Sequence, residues 1–200
     1  MKLCLFQGTF NPIHNAHLKV CEYAKKQFKF DKILVIPAAN PPHKTLDRDL
    51  AYHRLQMAEL AVQDKEYLEV SDIEYLRGGK SYTYLTVKEL YDIYDVEGKI
   101  NFIIGTDAFK NIETWYESDK LKDMLEFILF VREDEKQLEQ DKICLQNLKE
   151  KGYNYKMMNM PFYDISSTQI RNNITNSIPI KTLVPKEVEK YIDKYGLYRY

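Results

Sequence analysis

Apolar residues gather in six short runs, at residues 2–6, 32–36, 68–73, 100–104, 126–131 and 155–160. Several of these runs are continuously apolar rather than alternating, the pattern of strands buried on both faces. Between them the spacing becomes helical. Val20, Cys21, Ala24 and Phe28 share one helical face, Leu50, Met57, Ala58 and Ala61 a second, and Val87, Leu90, Tyr91 and Tyr94 a third. Strand and helix therefore alternate with short connections, which predicts right-handed crossovers and a Rossmann-like α/β fold: a doubly wound, mainly parallel sheet with helices on both faces. Ligands of such a sheet bind beyond the carboxyl ends of its strands, so function is expected in the loops that follow them.

Two further segments complete the pattern. Residues 133–152 are the most charged stretch, with Leu138, Leu145 and Leu148 as a thin apolar stripe, and read as a solvated surface helix without chemistry. Residues 185–195, followed by Gly196, read as a C-terminal helix with its stop signal. No repeat, low-complexity tract or Gly/Ser linker interrupts the chain, so a single domain is expected: a core over residues 1–165 and a small helical portion over 166–200.

Composition narrows the class. With 44% apolar and 30% charged residues over 200 positions, the chain can bury a full core, which excludes disorder and fibrous classes. A formal net charge of -1 argues against coating nucleic acid or an acidic membrane, so any anion site must be local. Cys4, Cys21 and Cys144 are an odd, widely spaced set, expected as reduced core thiols. The chain enters an apolar strand at once and has no uninterrupted apolar run of about 18 residues, so neither a signal peptide nor a membrane span is expected, and a cytoplasmic location is.

The first candidate chemistry follows the first strand, at Gly8, Thr9, Phe10, Asn11, Pro12, Ile13, His14, Asn15, Ala16 and His17. Gly8 permits close backbone approach to a ligand, and the N–H groups of the helix that begins here form an anion site. His14 and His17, three apart, would lie on one helical face. Imidazoles aimed at a phosphate can donate to oxygens whose charge grows during phosphoryl-type transfer. Taken alone, such a histidine pair is equally a capping or packing device. A second signal lies at Ile165, Ser166, Ser167, Thr168, Gln169, Ile170 and Arg171. Ser166 and Gln169 have capping-box spacing, which leaves the Ser167 and Thr168 hydroxyls and the early N–H groups for a polyphosphate, with Arg171 one turn on to clamp it.

Together, on this order of elements, the two segments resemble the nucleotidyltransferase superfamily that shares its histidine motif with class I aminoacyl-tRNA synthetases. Further matches lie at Pro41, Pro42, His43 and Lys44, at Arg54, Met57 and Ala58, at Ser81 to Thr83, at Ile103 to Asp107, at Thr114, Trp115 and Tyr116, and at Gly196, Leu197 and Tyr198. On these the chain resembles the bacterial nicotinate-nucleotide adenylyltransferases over nearly its whole length, residues 133–155 excepted. The resemblance implies transfer of AMP from ATP to nicotinate mononucleotide by direct in-line attack, in NAD biosynthesis. It places Gly8, Thr9 and Phe10 against ATP, His14 and His17 on the reacting α-phosphate, and Lys44 on the mononucleotide phosphate. Gly105 and Asp107 would contact the adenosine side, and Arg132, Ser166, Ser167, Thr168 and Arg171 the triphosphate tail. Thr83, Trp115 and Tyr116 would form the acceptor pocket, with backbone N–H groups on the carboxylate and the indole over the pyridine ring.

Mg²⁺ is expected to arrive on the ATP phosphates, with no protein metal ligand. Zinc on His14, His17, His43 and His53 is the competing metal reading. Expected partners are the two small substrates, with neither nucleic acid nor membrane, and a homo-oligomer left open. The sequence departs from the family pattern at Gln7 and Ala16, where glycine is usual, at Asn11, where aspartate is common, and at Ala38 and Ala39, which replace a frequent asparagine. The alternatives are a pantetheine-phosphate adenylyltransferase, which the Thr114-Trp115-Tyr116 motif disfavours, an enzyme using the amidated nucleotide, and a non-catalytic nucleotide sensor.

Overall fold

The computed structural model describes residues 1–42, 49–131 and 135–199, with the backbone alone for residues 135–140. Six parallel strands form one sheet in the order β3-β2-β1-β4-β5-β6. They are β1 (Leu3–Gly8), β2 (Lys32–Pro37), β3 (Leu68–Val70), β4 (Ile100–Gly105), β5 (Leu125–Phe130) and β6 (Tyr155–Met157). All six expected runs are strands, though β3 and β6 are shorter than their apolar runs. After β3 the chain turns at Ser71, whose N–H still reaches Val35 O at 3.0 Å, and Ile73 opens the next helix.

The helices of 3.6 periodicity are α1 (Asn15–Phe28), α2 (Asp49–Val62), α3 (Ile73–Arg77), α4 (Thr83–Ile93), α5 (Thr106–Phe109), α6 (Ser118–Met124), α7 (Glu135–Glu150), α8 (Ser167–Thr175) and α9 (Lys186–Tyr195). Their apolar stripes sort onto the two sheet faces because strand side chains alternate. On one face Cys4, Phe6, Ile33, Val35 and Ile128 meet Val20, Cys21 and Ala24 of α1, Met57 and Ala58 of α2, Ile170 of α8 and Val188 of α9. On the other, Leu5, Leu34, Phe102 and Phe127 meet Val87 and Leu90 of α4, Leu121 of α6, and Leu145 and Leu148 of α7. Both faces being covered is why the strands read as unbroken apolar runs.

Chain reversals follow local chemistry. Helix α1 stops at Lys29, which takes the left-handed conformation (φ 55, ψ 42) while its N–H closes on Lys25 O. Helix α9 stops at Gly196 in the same conformation (φ 59, ψ 30), the stop predicted from its glycine. Between β1 and β4 the strand order reverses direction, one side running to β3 and the other to β6. That switch point opens a crevice at the carboxyl ends of the strands.

Candidate active site

A cleft of about 580 Å³ lies there, walled by the loop after β1, the start of α1, the end of β5 and the start of α8. Gly8, Thr9, Phe10, His14 and His17 from one end of the chain, and Ser166, Ser167, Thr168 and Arg171 from the other, all line it. The two motifs are brought together by direct bonds. Ser167 Oγ donates to Pro12 O at 2.9 Å, and Arg171 donates from Nη1 to Asn11 O at 2.7 Å and from Nη2 to Thr168 Oγ1 at 3.2 Å. From the C-terminal end, Tyr198 OH donates to Asn11 Oδ1 at 2.7 Å. Asn11, in place of the common aspartate, therefore serves as a buried acceptor that holds the loop.

The histidines are arranged more tightly than a shared helical face requires. His14 is the residue that caps α1, with extended backbone (φ -147, ψ 172), and His17 is the third residue of the helix. Each answers the other as in a capping box, and His17 Nδ1 accepts the His14 N–H at 3.2 Å. Their rings stack at 3.6 Å between centroids, and the ring of Phe10 meets His17 edge-on at 4.9 Å. Capping and packing are thus part of what these side chains do. Because Nδ1 accepts, a neutral His17 carries its proton on Nε2, as a hydrogen-bond donor. Phe10 reaches this position through a positive φ of 47, and a Cβ on Gly8 would stand 2.9 Å from its ring. The close approach that Gly8 permits is made first by a protein side chain.

At α8 the capping box appears as expected: Gln169 N–H donates to Ser166 Oγ at 3.1 Å and Ser166 N–H to Gln169 Oε1 at 3.4 Å. The Ser167 hydroxyl proton is committed to Pro12 O, so of the two hydroxyls it is Thr168, exposed at the cleft, that is turned outward. Two helix N-termini and one guanidinium therefore converge on one cleft, an arrangement suited to a polyphosphate.

The residues expected to form the acceptor pocket lie on the other side of β1. Thr83, the first residue of α4, donates from Oγ1 to Gln7 Oε1 at 2.8 Å, and Gln7 itself lines the cleft. Tyr82 and Tyr116 rings meet at 4.6 Å, which draws Trp115 and Tyr116 beside the start of α4. Trp115 is half-buried and packs edge-on against Phe102 at 6.1 Å, so one side of the indole anchors to the core. Gly105 ends β4 and caps α5, with Asp107 exposed in the following turn; neither is among the residues that line the cleft. Lys44 and Arg132 fall outside the described residues.

One residue with no role read from the sequence holds the loops in place. Arg54 of α2 is fully buried and donates to Thr9 O at 2.8 Å, Ala38 O at 2.6 Å and Ala39 O at 3.2 Å. Burial lowers its pKa, opposed by Tyr75, Tyr198 and Glu74 nearby. The signal was a lone arginine on the same helical face as Leu50 and Ala58. Two loops that follow β1 and β2 are clamped by this one guanidinium.

A parallel sheet of this order, with a cleft at its switch point walled by the starts of two helices, is the architecture of nucleotide-binding α/β enzymes, and the cytidylyltransferase-like family model matches residues 5–173. A curated relative, the probable nicotinate-nucleotide adenylyltransferase of Fusobacterium nucleatum, is 38% identical over 194 residues, 97% of this chain and 98% of that one. Another of the same name from a Thermoanaerobacter species is 38% identical over 200 residues, 100% of this chain and 95% of that one. Among solved structures, Plasmodium falciparum nicotinic acid mononucleotide adenylyltransferase complexed with NaAD superposes with a TM-score of 0.77 at 23% identity, covering 98% of this chain and 96% of that one. The chain belongs to the cytidylyltransferase-like family and, within it, to the nicotinate-nucleotide adenylyltransferases.

Proposed function

We propose that this protein joins ATP to nicotinate mononucleotide, releasing pyrophosphate and forming nicotinate adenine dinucleotide. The observation that carries the reading is the convergence of His17, the α1 and α8 N-termini and Arg171 on one cleft, with Thr83 tied to the same strand end. In the reaction an oxygen of the acceptor phosphate forms a bond to the α-phosphorus of ATP as the bond from that phosphorus to the bridging oxygen breaks, and the electron pair leaves on pyrophosphate. His14 and His17 stabilise charge growing on the α-phosphate, with Nε2–H of His17 as donor. Arg171, Ser166 and Thr168, with Ser167 through its place in the first turn of α8, hold the β- and γ-phosphates. Gly8, Thr9 and Phe10 shape the loop against the nucleotide; Gly105 and Asp107 take the adenosine side, together with Arg132 for the tail. Lys44 neutralises the acceptor phosphate, and Thr83, Trp115 and Tyr116 receive the pyridine ring and its carboxylate.

Among the described residues no group of three histidine, cysteine or acidic side chains is placed to hold a metal. The polar residues described in the cleft lining are mainly hydrogen-bond donors, with a single acidic residue, Asp164, which fits Mg²⁺ held largely by substrate oxygens and water; when bound it would neutralise phosphate charge. We read residues 1–200 as one unit, the 166–200 portion supplying the phosphate cradle. A cytoplasmic location is supported by free Cys4, Cys21 and Cys144 and by no described helix being long and apolar enough to cross a membrane.

The test is pyrophosphate release with ATP and Mg²⁺, offering nicotinate mononucleotide, nicotinamide mononucleotide and phosphopantetheine in parallel. Release with the first alone is expected, reduced about a hundred-fold or more by His17→Ala. Preference for either other acceptor would move the assignment, and silence with all three would overturn it.

A further inference from the structure

Gln7 stands where the family usually carries glycine, and it closes a buried network that the reaction as described does not use. Glu74, 1% exposed, receives Gln7 Nε2 and Thr86 Oγ1 (2.7 Å) on Oε1 and the Ala39 N–H on Oε2 at 3.2 Å, with Arg77 Nη2 at 3.8 Å. Arg77 also donates to Thr86 Oγ1 at 3.2 Å and pairs with Glu89 at 3.1 Å. The direction of every proton here follows. A carboxylate can only accept, so Gln7 must turn its amide nitrogen to Glu74 and its carbonyl oxygen the other way. That oxygen can only accept as well, and Thr83 Oγ1, 2.8 Å away, must donate to it. The Thr83 hydroxyl proton is committed to the protein, and only lone pairs remain on that oxygen. A carboxylate arriving at the start of α4 then has the N–H groups of Thr83 and Tyr84 as donors, which a helix leaves without intrahelical acceptors.

We propose that Gln7 is a positioning residue for the acceptor nucleotide: anchored by Glu74, it holds the Thr83 hydroxyl and sets the first turn of α4 so that backbone N–H groups receive the carboxylate. The inference rests on the acceptor reading above. Although Gln7 borders the ATP cleft, its amide bonds run to Glu74 and Thr83, so its loss should fall mainly on the acceptor substrate.

The experiment is steady-state kinetics of Gln7→Gly, which installs the residue usual in the family, with Thr83→Val, Thr83→Ser and the Gln7→Gly/Thr83→Val double variant, each shown folded by its thermal unfolding curve. Gln7→Gly and Thr83→Val should each raise KM for nicotinate mononucleotide about tenfold and leave KM for ATP within about twofold; Thr83→Ser, which keeps the donor, should recover most of the loss seen in Thr83→Val. Because both lose the same bond, the double variant should match the singles rather than multiply them. Equal changes in both KM values, no change in either, or multiplicative effects overturn the proposal. Wild-type protein that ignores nicotinate mononucleotide overturns the acceptor reading and this inference with it, whereas wild-type turnover without the KM split overturns the inference alone.

Discussion

At the scale of single residues, the site is built from side chains whose partners are other parts of the protein. Gly8 is the clearest case. A methyl group there would meet the Phe10 ring at 2.9 Å, and Phe10 is itself 3% exposed, packed on Phe6 and His17. Gly8→Ala should therefore destabilise the protein by about 1–3 kcal/mol and weaken ATP binding by displacing His17. Denaturant midpoints and ATP titration check this, and a Phe10→Leu background, which leaves room for the methyl, should recover part of both losses. Arg54→Met should cost about 2–4 kcal/mol, since it strips donors from Thr9, Ala38 and Ala39 carbonyls. Arg54→Lys should not rescue it, because an ammonium cannot span carbonyls on two loops as a planar fork does. Unfolding curves of both variants decide the point. The histidine and Ser-Thr motifs were legible in the sequence because they sit at fixed distances from strand ends and helix starts. Arg54, Gln7 and Glu74 were not: each draws its meaning from partners tens of residues away, which periodicity and spacing do not encode.

At the scale of elements, α1 shows how a helix can be legible in outline and its chemistry less so. Its apolar face of Val20, Cys21, Ala24 and Phe28 was read from 3.6 periodicity; the first three are buried and Phe28 is partly so. The same burial pushes the Cys21 thiol from about 9 up to about 12. A thiol whose folded pKa is raised binds its proton more tightly in the folded state. Its contribution is fully present below the unfolded value near 9 and is lost as pH rises through the folded value near 12. Thermal unfolding should thus fall to lower temperature between about pH 9 and pH 12, and Cys21→Ala, though less stable at neutral pH, should fall less steeply over that window. Tyr75, pushed up to about 12 chiefly by burial, adds a slope of the same sign that the variant retains. An equal slope in the variant would show that Cys21 is not the group responsible. Strand ends were less legible than strands, because β3 stops where Ser71 turns the chain into α3 despite apolar residues beyond.

At the scale of the whole molecule, the sheet order divides the site between two halves of the chain. One half supplies the loop after β1, and the other supplies α8, joined through Ser167 to Pro12, Arg171 to Asn11 and Tyr198 to Asn11. A polyphosphate bound between them should brace both, so ligand binding and global stability are linked. With Mg²⁺ present, ATP at about a hundred times its Kd should stabilise the protein by about 2.7 kcal/mol, a rise of roughly 5–10 °C in Tm for a chain of this length. AMP, which lacks the phosphates that Arg171 and the α8 N-terminus would hold, should give a much smaller rise at the same concentration. Arg171→Gln should bring the ATP shift down toward that of AMP, while amide exchange slows on ATP binding in the first turn of α8 and the loop after β1 together in the wild type. If AMP and ATP shift Tm equally, or if the two segments are protected independently, the cleft does not hold the tail across its two halves, and the triphosphate must lie elsewhere on the strand ends.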